Sequence, residues 1–513
     1  MGREVGKVKQ SKGDQVIIVT TNEESLSYGQ IVKIYGGEKS KVYYSRITNA
    51  GSKSTLEEVP ELQDLKGSMR TIGPYSKYRY VESVIFLERD VNGFVRAPTL
   101  NPDYGWVVET LDEDDYETLK ISGQLEIGYL RSGGLVTGKT VGIDVKSIPR
   151  MMAIVGQIGS GKTNAELVLN ASIMFTRGEA VGLIFDFAGE LLTGKEIGKG
   201  LADHPYAQEN LVYFGTEKPE KRVPYGVMQI GLRKLTPKSL GFLLPDFTGP
   251  QQHYAEKLYR RIGSSDWITK TLEVYREEDV DGVVELAPTR QKSVVEAFLR
   301  KLSSLNEKIF VDVDYDFTYS VIEALTNNKT VLVDISGLRE ETQKQIVCWV
   351  ASRVVEYYRE LWRKDFDAWR RLPYLLITLE EAHKFLAEKN TVFSDIALTY
   401  RKYKVGLNAV TPRPSGINKD VFAELWTKII LKTTLKDDRT YLSENTPYLE
   451  YSDTELKMLD VGEALLVSQP RIHFAVPIKI FDYKEYLDEH KPKQEAKKPY
   501  LQIKRSTIEE NVI

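Results

Sequence analysis

The sequence predicts an α/β protein: a phosphate-loop core built on mostly parallel strands, a small N-terminal β-barrel and a helical insertion within the core. Three observations predict it. Up to about Val145, short β-branched and aromatic runs are bounded by Gly, Asn, Asp and Ser, the texture of an all-β region. After Ile148 and Pro149, apolar strand-like runs alternate with helical segments, as in a parallel sheet covered by helices. Where that second texture begins, Gly156, Gln157, Ile158, Gly159, Ser160, Gly161, Lys162 and Thr163 complete the pattern G-x-x-x-x-G-K-[ST].

Taken in order, the N-terminal candidate strands are Gln15–Thr20, Gly29–Tyr35, Lys41–Ile47 and Tyr80–Phe86. Several such strands close into a small barrel or sandwich. An acidic stretch from Glu109 to Glu117 separates them from a hairpin-like pair around Leu125–Leu130 and Thr140–Val145, and the first domain is bounded at 1–147. The core domain, 148–489, has candidate strands at Met152–Val155, Gly182–Phe185, Thr330–Asp334, Tyr374–Leu379, Leu407–Thr411, Lys428–Lys432 and Glu463–Val467. Charged, helix-favouring sequence such as Gln291–Leu305 breaks this rhythm and predicts a helical insertion over about 232–325. Residues 490–513, charged and interrupted by Pro492 and Pro499, read as an extended tail. There is no internal repeat.

Composition narrows the function. The chain has 513 residues, 42% hydrophobic and 28% charged, which excludes collagen, a disordered chain and a small disulfide scaffold. Lys and Arg number 70 against 73 Asp and Glu, a net charge of -3, so positive charge for nucleic acid has to be local. The one cysteine, Cys348, lies in an apolar run and reads as a buried small hydrophobe. Five histidines are scattered without ligand spacing, which argues against a zinc enzyme. The N-terminus has no apolar core of signal-peptide length and no stretch is apolar enough to span a membrane, so a cytoplasmic location is expected.

The motif has a mechanism. Its glycines let successive N–H groups converge on phosphates, Lys162 neutralises the β- and γ-phosphates, and the Thr163 hydroxyl ligates Mg2+ at a helix N-terminus. An apolar strand before it and the periodic helix opening at Asn164 after it supply the right context. A second signal is the apolar strand Tyr374–Leu379, which ends in Glu380 and Glu381. Strand carboxyl ends face ligands in parallel sheets, so one carboxylate can hold the magnesium shell and the other can orient the attacking water. A solvated pair opening a helix is the alternative. Asp186 ends another strand and either supports the site or caps the next segment. His383 reads as a hydrogen-bonded structural residue, and Phe187, Phe242 and Trp362 as core.

With these residues in place the chain resembles the HerA family of the FtsK-HerA hexameric DNA motors. The resemblance rests on the order and spacing of 148–163, Ile184–Glu190, Glu380–Phe385, Arg401–Leu407, Thr411–Pro414, Thr427–Leu431 and Leu459–Ala464. It implies a RecA-like ATPase core behind a HAS-barrel-like N-terminal domain, using ATP and Mg2+. It further implies a homo-hexameric ring that moves along double-stranded DNA, works with a NurA-type nuclease in end processing and itself does not span the membrane. Gly156 through Thr163 with Asn164 would bind nucleotide, Thr163 and Glu380 would hold the metal, Glu381 would be the catalytic carboxylate, and Arg150 and Arg401 would sense a nucleotide across a subunit boundary.

Two departures stand out. Leu398, Thr399 and Tyr400 precede Arg401 and Lys402 where the family has an Arg-Glu-Gly-Arg-Lys type stretch, so one arginine is missing. The Ser-Gln-Arg-Pro type sensor is Thr411, Pro412, Arg413 and Pro414, and Pro412 offers no amide. Related readings from other classes are an ATPase energising a membrane DNA-transfer apparatus and a slow nucleotide-gated DNA-binding scaffold.

Overall fold

Strands that bury every second side chain need a second apolar face, and in a small sheet closure supplies it. In the computed structural model, which describes residues 2–20, 26–36, 41–54, 77–244, 247–263, 265–305, 308–389 and 391–491, the N-terminal strands close in this way. They are β1 (Glu4–Lys12), β2 (Gln15–Thr20), β3 (Ile31–Tyr35), β4 (Lys41–Ser54), β5 (Lys77–Asp90), β6 (Val95–Arg96) and β7 (Val107–Thr110). Their order is β2-β1-β7-β3-β4-β5, and pairing of β2 with β5 completes a six-stranded barrel, with the short β6 on β5. Val8, Ile18, Ile34, Tyr43, Ile47 and Val108 fill it. Register shifts after Tyr44 and after Ile47 in the β4–β5 pair supply the bends that closure requires.

Later strands are β8 (Leu125–Ser132), β9 (Leu135–Ile143), β10 (Met152–Val155), β11 (Ala180–Asp186), β12 (Leu211–Gly215) and β13 (Tyr225–Val227). A two-stranded pair, β14 (Ile230–Gly231) and β15 (Phe310–Val311), flanks the insertion. The chain continues through β16 (Thr330–Asp334), β17 (Tyr374–Leu379), β18 (Val405–Thr411), β19 (Thr427–Leu431), β20 (Glu463–Ser468) and β21 (Val476–Ile480). Contacts divide it into two units, one formed by Met1–Asp144, Met152–Ala165 and Thr411–Asp482, the other by Val145–Met151, Glu166–Val410 and Tyr483–Ile513.

In the first unit β10 pairs in parallel with β19, and β19, β20, β21, β8 and β9 follow in antiparallel succession. The barrel is tied to this unit by a buried ionic knot. Glu455, 2% exposed, accepts from Arg46 of β4 and, at 3.0 Å, from Arg131 of β8. Arg46 also donates to Ser452 Oγ at 2.6 Å. Gly29 lets the chain pass close to this carboxylate: a Cβ there would lie 2.2 Å from Glu455 Oε1.

The second unit holds a six-stranded sheet in the order β13-β12-β16-β11-β17-β18, with every neighbour parallel. All seven residues of β11 are buried, as expected where both faces of a parallel sheet are covered. The insertion is helical, with Pro237–Leu243, Gly249–Ile262, Trp267–Leu286, Lys292–Leu302 and Phe317–Thr326. In Lys292–Leu302 the buried residues Val295, Phe298, Leu299 and Leu302 lie on one stripe.

Three sequence expectations change. Phe242 is 43% exposed and not core, while Phe187 and Trp362 are half-buried. Val145 opens the 3-10 turn Val145–Arg150 and does not extend the hairpin strand. Strands β1, β6, β7, β12, β13, β14, β15 and β21 were not anticipated, and β7 takes in Glu109 and Thr110 from the stretch read as an acidic separator; β21 contains Pro477, a residue that normally argues against an inner strand. Pro477 lies opposite Leu465 of β20 but outside the stretch paired with β8, so no donor is missing there. The predicted tail lies outside the described residues from 492 onward.

Removing Glu455 would strand two buried guanidinium groups. Glu455→Ala is expected to lower the unfolding free energy by about 3–5 kcal/mol, read as a fall in the denaturant midpoint. A loss under about 1 kcal/mol would show that the knot does not hold the barrel.

Candidate active site

The first unit supplies the phosphate loop. It runs from the end of β10 into the helix Lys162–Phe175, and Gly159 and Gly161 sit at φ 76° and 102°, where a side chain would be strained. The loop is anchored at both ends. Gln157 N–H donates to the Lys432 carbonyl at 2.9 Å, and Gln157 Oε1 accepts from Thr434 N–H and Oγ at 3.1 and 2.6 Å. Ser160, 1% exposed, donates from Oγ to the Gln157 carbonyl at 2.7 Å and accepts from Gly462 N–H at 3.1 Å. A Cβ on Gly156 would meet Leu431 Cβ at 2.8 Å. Ile158, 86% exposed, is the tip.

Lys162 Nζ donates to the Gln157 carbonyl at 2.9 Å, closing the loop around its own cation. The Asn164 side chain donates to the Phe481 carbonyl at 2.8 Å and so fixes the first turn of the helix. Thr163 Oγ makes no hydrogen bond among the described residues. A hydroxyl left over at a helix N-terminus beside a lysine is the donor set that a nucleotide-borne magnesium needs, so the residues fit that group.

The second unit supplies carboxylates. Glu380 follows β17, and its Oε2 accepts the Phe187 N–H at 2.9 Å. Asp186 ends β11 and gathers the following loop: its oxygens accept from the N–H groups of Gly189, Glu190 and Leu191 at 2.6, 3.2 and 2.9 Å. Asp186 thus caps the segment that follows it, and the Phe187 amide at the start of that segment holds Glu380.

Glu166 was missed by sequence reasoning. It is 1% exposed, and neither carboxyl oxygen has a hydrogen-bond partner among the described residues. Its signal in the sequence was an acid set among Ala165, Leu167, Val168 and Leu169, but a helical acid is ordinarily solvent-facing.

Burial and mutual repulsion disturb all three acids. Burial, then Glu380 and Asp186, push Glu166 well above the usual range. Burial, then Asp186, push Glu380 up to about 8 against the opposing Phe187 amide. Burial, with Asp334 adding to it and the loop amides opposing, brings Asp186 to about 6. Glu381 differs: its side chain is 42% exposed, its backbone is left-handed at φ 49° and ψ 35°, and His383 Nδ1 lies 3.6 Å from Oε2. A non-glycine residue held there stores strain of a kind that clusters at functional positions.

Arg150 and Arg401 lie elsewhere in the same unit. Arg150 closes the turn Val145–Arg150 and Arg401 lies in the turn Tyr400–Tyr403, which pack against each other. The second turn leads into the amino end of β18, whereas Glu380 and Glu381 follow the carboxyl end of its parallel neighbour β17. Six residues of strand span about 20 Å, so the structure does not bring the arginines to these carboxylates.

The sign of the pH dependence follows. The Glu380 carboxyl keeps its proton up to about 8 in the folded protein but releases it near about 4.3 when unfolded. Between these values the folded state binds more protons, so stability falls as pH rises through the window. Glu380→Gln is expected to flatten that fall in melting curves between about pH 5 and 8; an unchanged slope would remove the assignment.

With this geometry in place, comparison with known proteins shows what the chain is similar to. Residues 125–355 match the family model described as "Helicase HerA, central domain". The DNA double-strand break repair helicase HerA of Saccharolobus solfataricus is 24% identical over 456 residues, covering 84% of this chain and 82% of the relative. That of Sulfolobus acidocaldarius is 25% identical, covering 87% of each. Among solved structures, plasmid coupling protein TrwB with a non-hydrolysable ATP analogue aligns at a TM-score of 0.48 and 12% identity, covering 67% of this chain and 88% of that one. The central-domain match takes in the phosphate loop, and the sequence similarity to HerA helicases extends over most of the chain.

Proposed function

We propose that the protein is an ATP-driven translocase of double-stranded DNA that works as a homo-hexameric ring and hands DNA ends to a NurA-type nuclease. The observation that carries the hydrolase is the pairing, in one chain, of a phosphate loop with an uncommitted Thr163 hydroxyl and a strand-end Glu380–Glu381 pair. Similarity over most of the chain to helicases named for DNA double-strand break repair supports DNA as the track.

In this reading Gly156 through Thr163 cradle the phosphates, and Lys162 exchanges its bond to the Gln157 carbonyl for one to phosphate oxygen. Asn164 keeps the helix start in place beneath them. Thr163 Oγ and Glu380, once deprotonated, would hold a nucleotide-borne magnesium, which would supply positive charge to the phosphate oxygens when bound. Glu381, more exposed than Glu380, orients and polarises the attacking water. Arg150 and Arg401, standing at the amino ends of the strands, serve the nucleotide of a neighbouring subunit, which makes a closed head-to-tail ring the matching symmetry.

Lys162→Ala is expected to abolish nucleotide binding, and Glu381→Gln to keep binding while losing hydrolysis by about 10²-fold or more. ATP turnover with and without linear duplex DNA, alongside solution mass, reads both. Parent-rate turnover by Glu381→Gln would transfer the role to Glu380.

Mixing separates the trans role. Subunits carrying Arg401→Ala combined with subunits carrying Glu381→Gln are expected to recover part of the hydrolysis that either lacks alone, because some interfaces pair an intact Arg401 with an intact Glu381. No recovery in verified mixed assemblies would take Arg401 out of the nucleotide site.

A further inference from the structure

At the amino ends of the second unit's strands, two segments join into one ledge. The Trp369 indole N–H donates to the Tyr403 carbonyl at 3.2 Å, and Lys404 Nζ donates to the carbonyls of Arg370 and Leu372, each at 2.8 Å. Lys404 also lies 5.1 Å over the Trp369 ring. Lys402 lies 4.8 Å over Trp362, whose ring meets Tyr403 edge-on at 5.3 Å. The short helix Phe366–Arg371 and the turn Tyr400–Tyr403 therefore present a single surface.

That surface is cationic and aromatic in a chain of net charge -3. Residues 360–371 and 401–404 contain seven Lys and Arg against three carboxylates. Glu360 is already bridged to Arg363 and Lys364, and the Asp365 carboxylate caps the Ala368 N–H at 2.9 Å, which leaves Asp367 as the third. Arg370, Arg371 and Lys402 are exposed, with no carboxylate partner among the described residues. Between them Phe366 is 52% exposed, and its ring is stacked on Trp369 at 5.0 Å and 24°.

An exposed ring already stacked on a second ring and flanked by unpaired cations offers what unpaired bases and their phosphates require. Duplex DNA keeps its bases stacked on one another, so it would engage the cations but not the ring face. Protein interfaces are also rich in aromatic rings and arginine but depleted of lysine, so Lys402 and the lack of carboxylate partners for these three cations favour a phosphate backbone. We propose that this ledge binds single-stranded nucleic acid, Phe366 stacking on a base while Arg370, Arg371 and Lys402 neutralise the backbone. The ledge contains none of the phosphate-loop residues or strand-end carboxylates, although Lys402 shares the turn Tyr400–Tyr403 with Arg401.

The test uses the full chain and a fluorescein-labelled oligothymidylate in anisotropy titrations, with a duplex of equal length in parallel. Phe366→Ala is expected to weaken oligothymidylate binding about fivefold or more and to leave duplex binding unchanged, whereas Phe366→Tyr retains both. Replacing Arg370 and Arg371 together by Gln is expected to reduce the slope of log affinity against log salt by about 1.4, with Lys at both positions restoring it. Photo-crosslinking of the parent protein with a 4-thiothymidine oligonucleotide should mark Phe366 or Trp369, an arm that requires no variant to fold. Adducts confined to other segments would overturn the proposal. So would unchanged oligothymidylate affinity or equal losses for single strand and duplex in Phe366→Ala, or a changed solution mass with unchanged binding, which would make the ledge a contact between copies.

Discussion

Strand polarity is the constraint on which the second unit depends. Six strands run the same way, so every carboxyl end emerges at one edge of the sheet and every amino end at the other. Asp186 ends β11, Asp334 ends β16, and Glu380 and Glu381 follow β17, so side chains far apart in the chain become one acidic edge. Arg401, Lys402 and Lys404 precede β18, and Arg370 and Arg371 precede β17, so the opposite edge is cationic. A net charge of -3 therefore conceals two edges of opposite sign. The cations of one edge thus stand a strand's length from the carboxylates of the other.

Two of the buried acids, Glu455 and Glu166, show what such charges do in different settings. Both carboxyl oxygens of Glu455 meet a guanidinium, and the result is an ionic knot between the barrel and the rest of its unit. Glu166 has no partner for either oxygen and has acids for neighbours. The first arrangement holds structure together. The second costs stability in the protein alone, and that cost is the kind a cation or proton arriving at the site relieves. Asp186 lies between these cases, since three amides satisfy it while burial still lifts it to about 6.

Rigid support is spread unevenly around the candidate nucleotide residues. The phosphate loop is held through backbone atoms of Lys432, Thr434 and Gly462, with the Thr434 hydroxyl as the one side-chain anchor among them. That arrangement accommodates the departure at Pro412, which alters a neighbouring segment without removing any of these anchors. Glu381, by contrast, owes its direction to a strained left-handed backbone, which holds only while the strand before it and the turn after it stay in place.

Much of this was legible in the sequence, because local chemistry carried it. The phosphate-loop residues, the seven core strands beginning with Met152–Val155, four of the six barrel strands and the acids ending their strands follow from turn-forming glycines, apolar runs and periodicity, each set within a few residues. Resemblance added the family and the intended partners. Glu166 was not legible, because one acid in a helix looks solvated until the sheet that buries it is known. Pro477 hid β21 for a related reason: only the register shows that its missing amide faces no neighbour. The ledge from Phe366 to Lys404 joins segments more than thirty residues apart, and the exposure of Phe242 depended on which face of its helix the core covered. Sequence alone determined which residues could bind phosphate and activate water; tertiary structure decided which charges share an edge, because burial and proximity arise from packing between segments that no local pattern encodes.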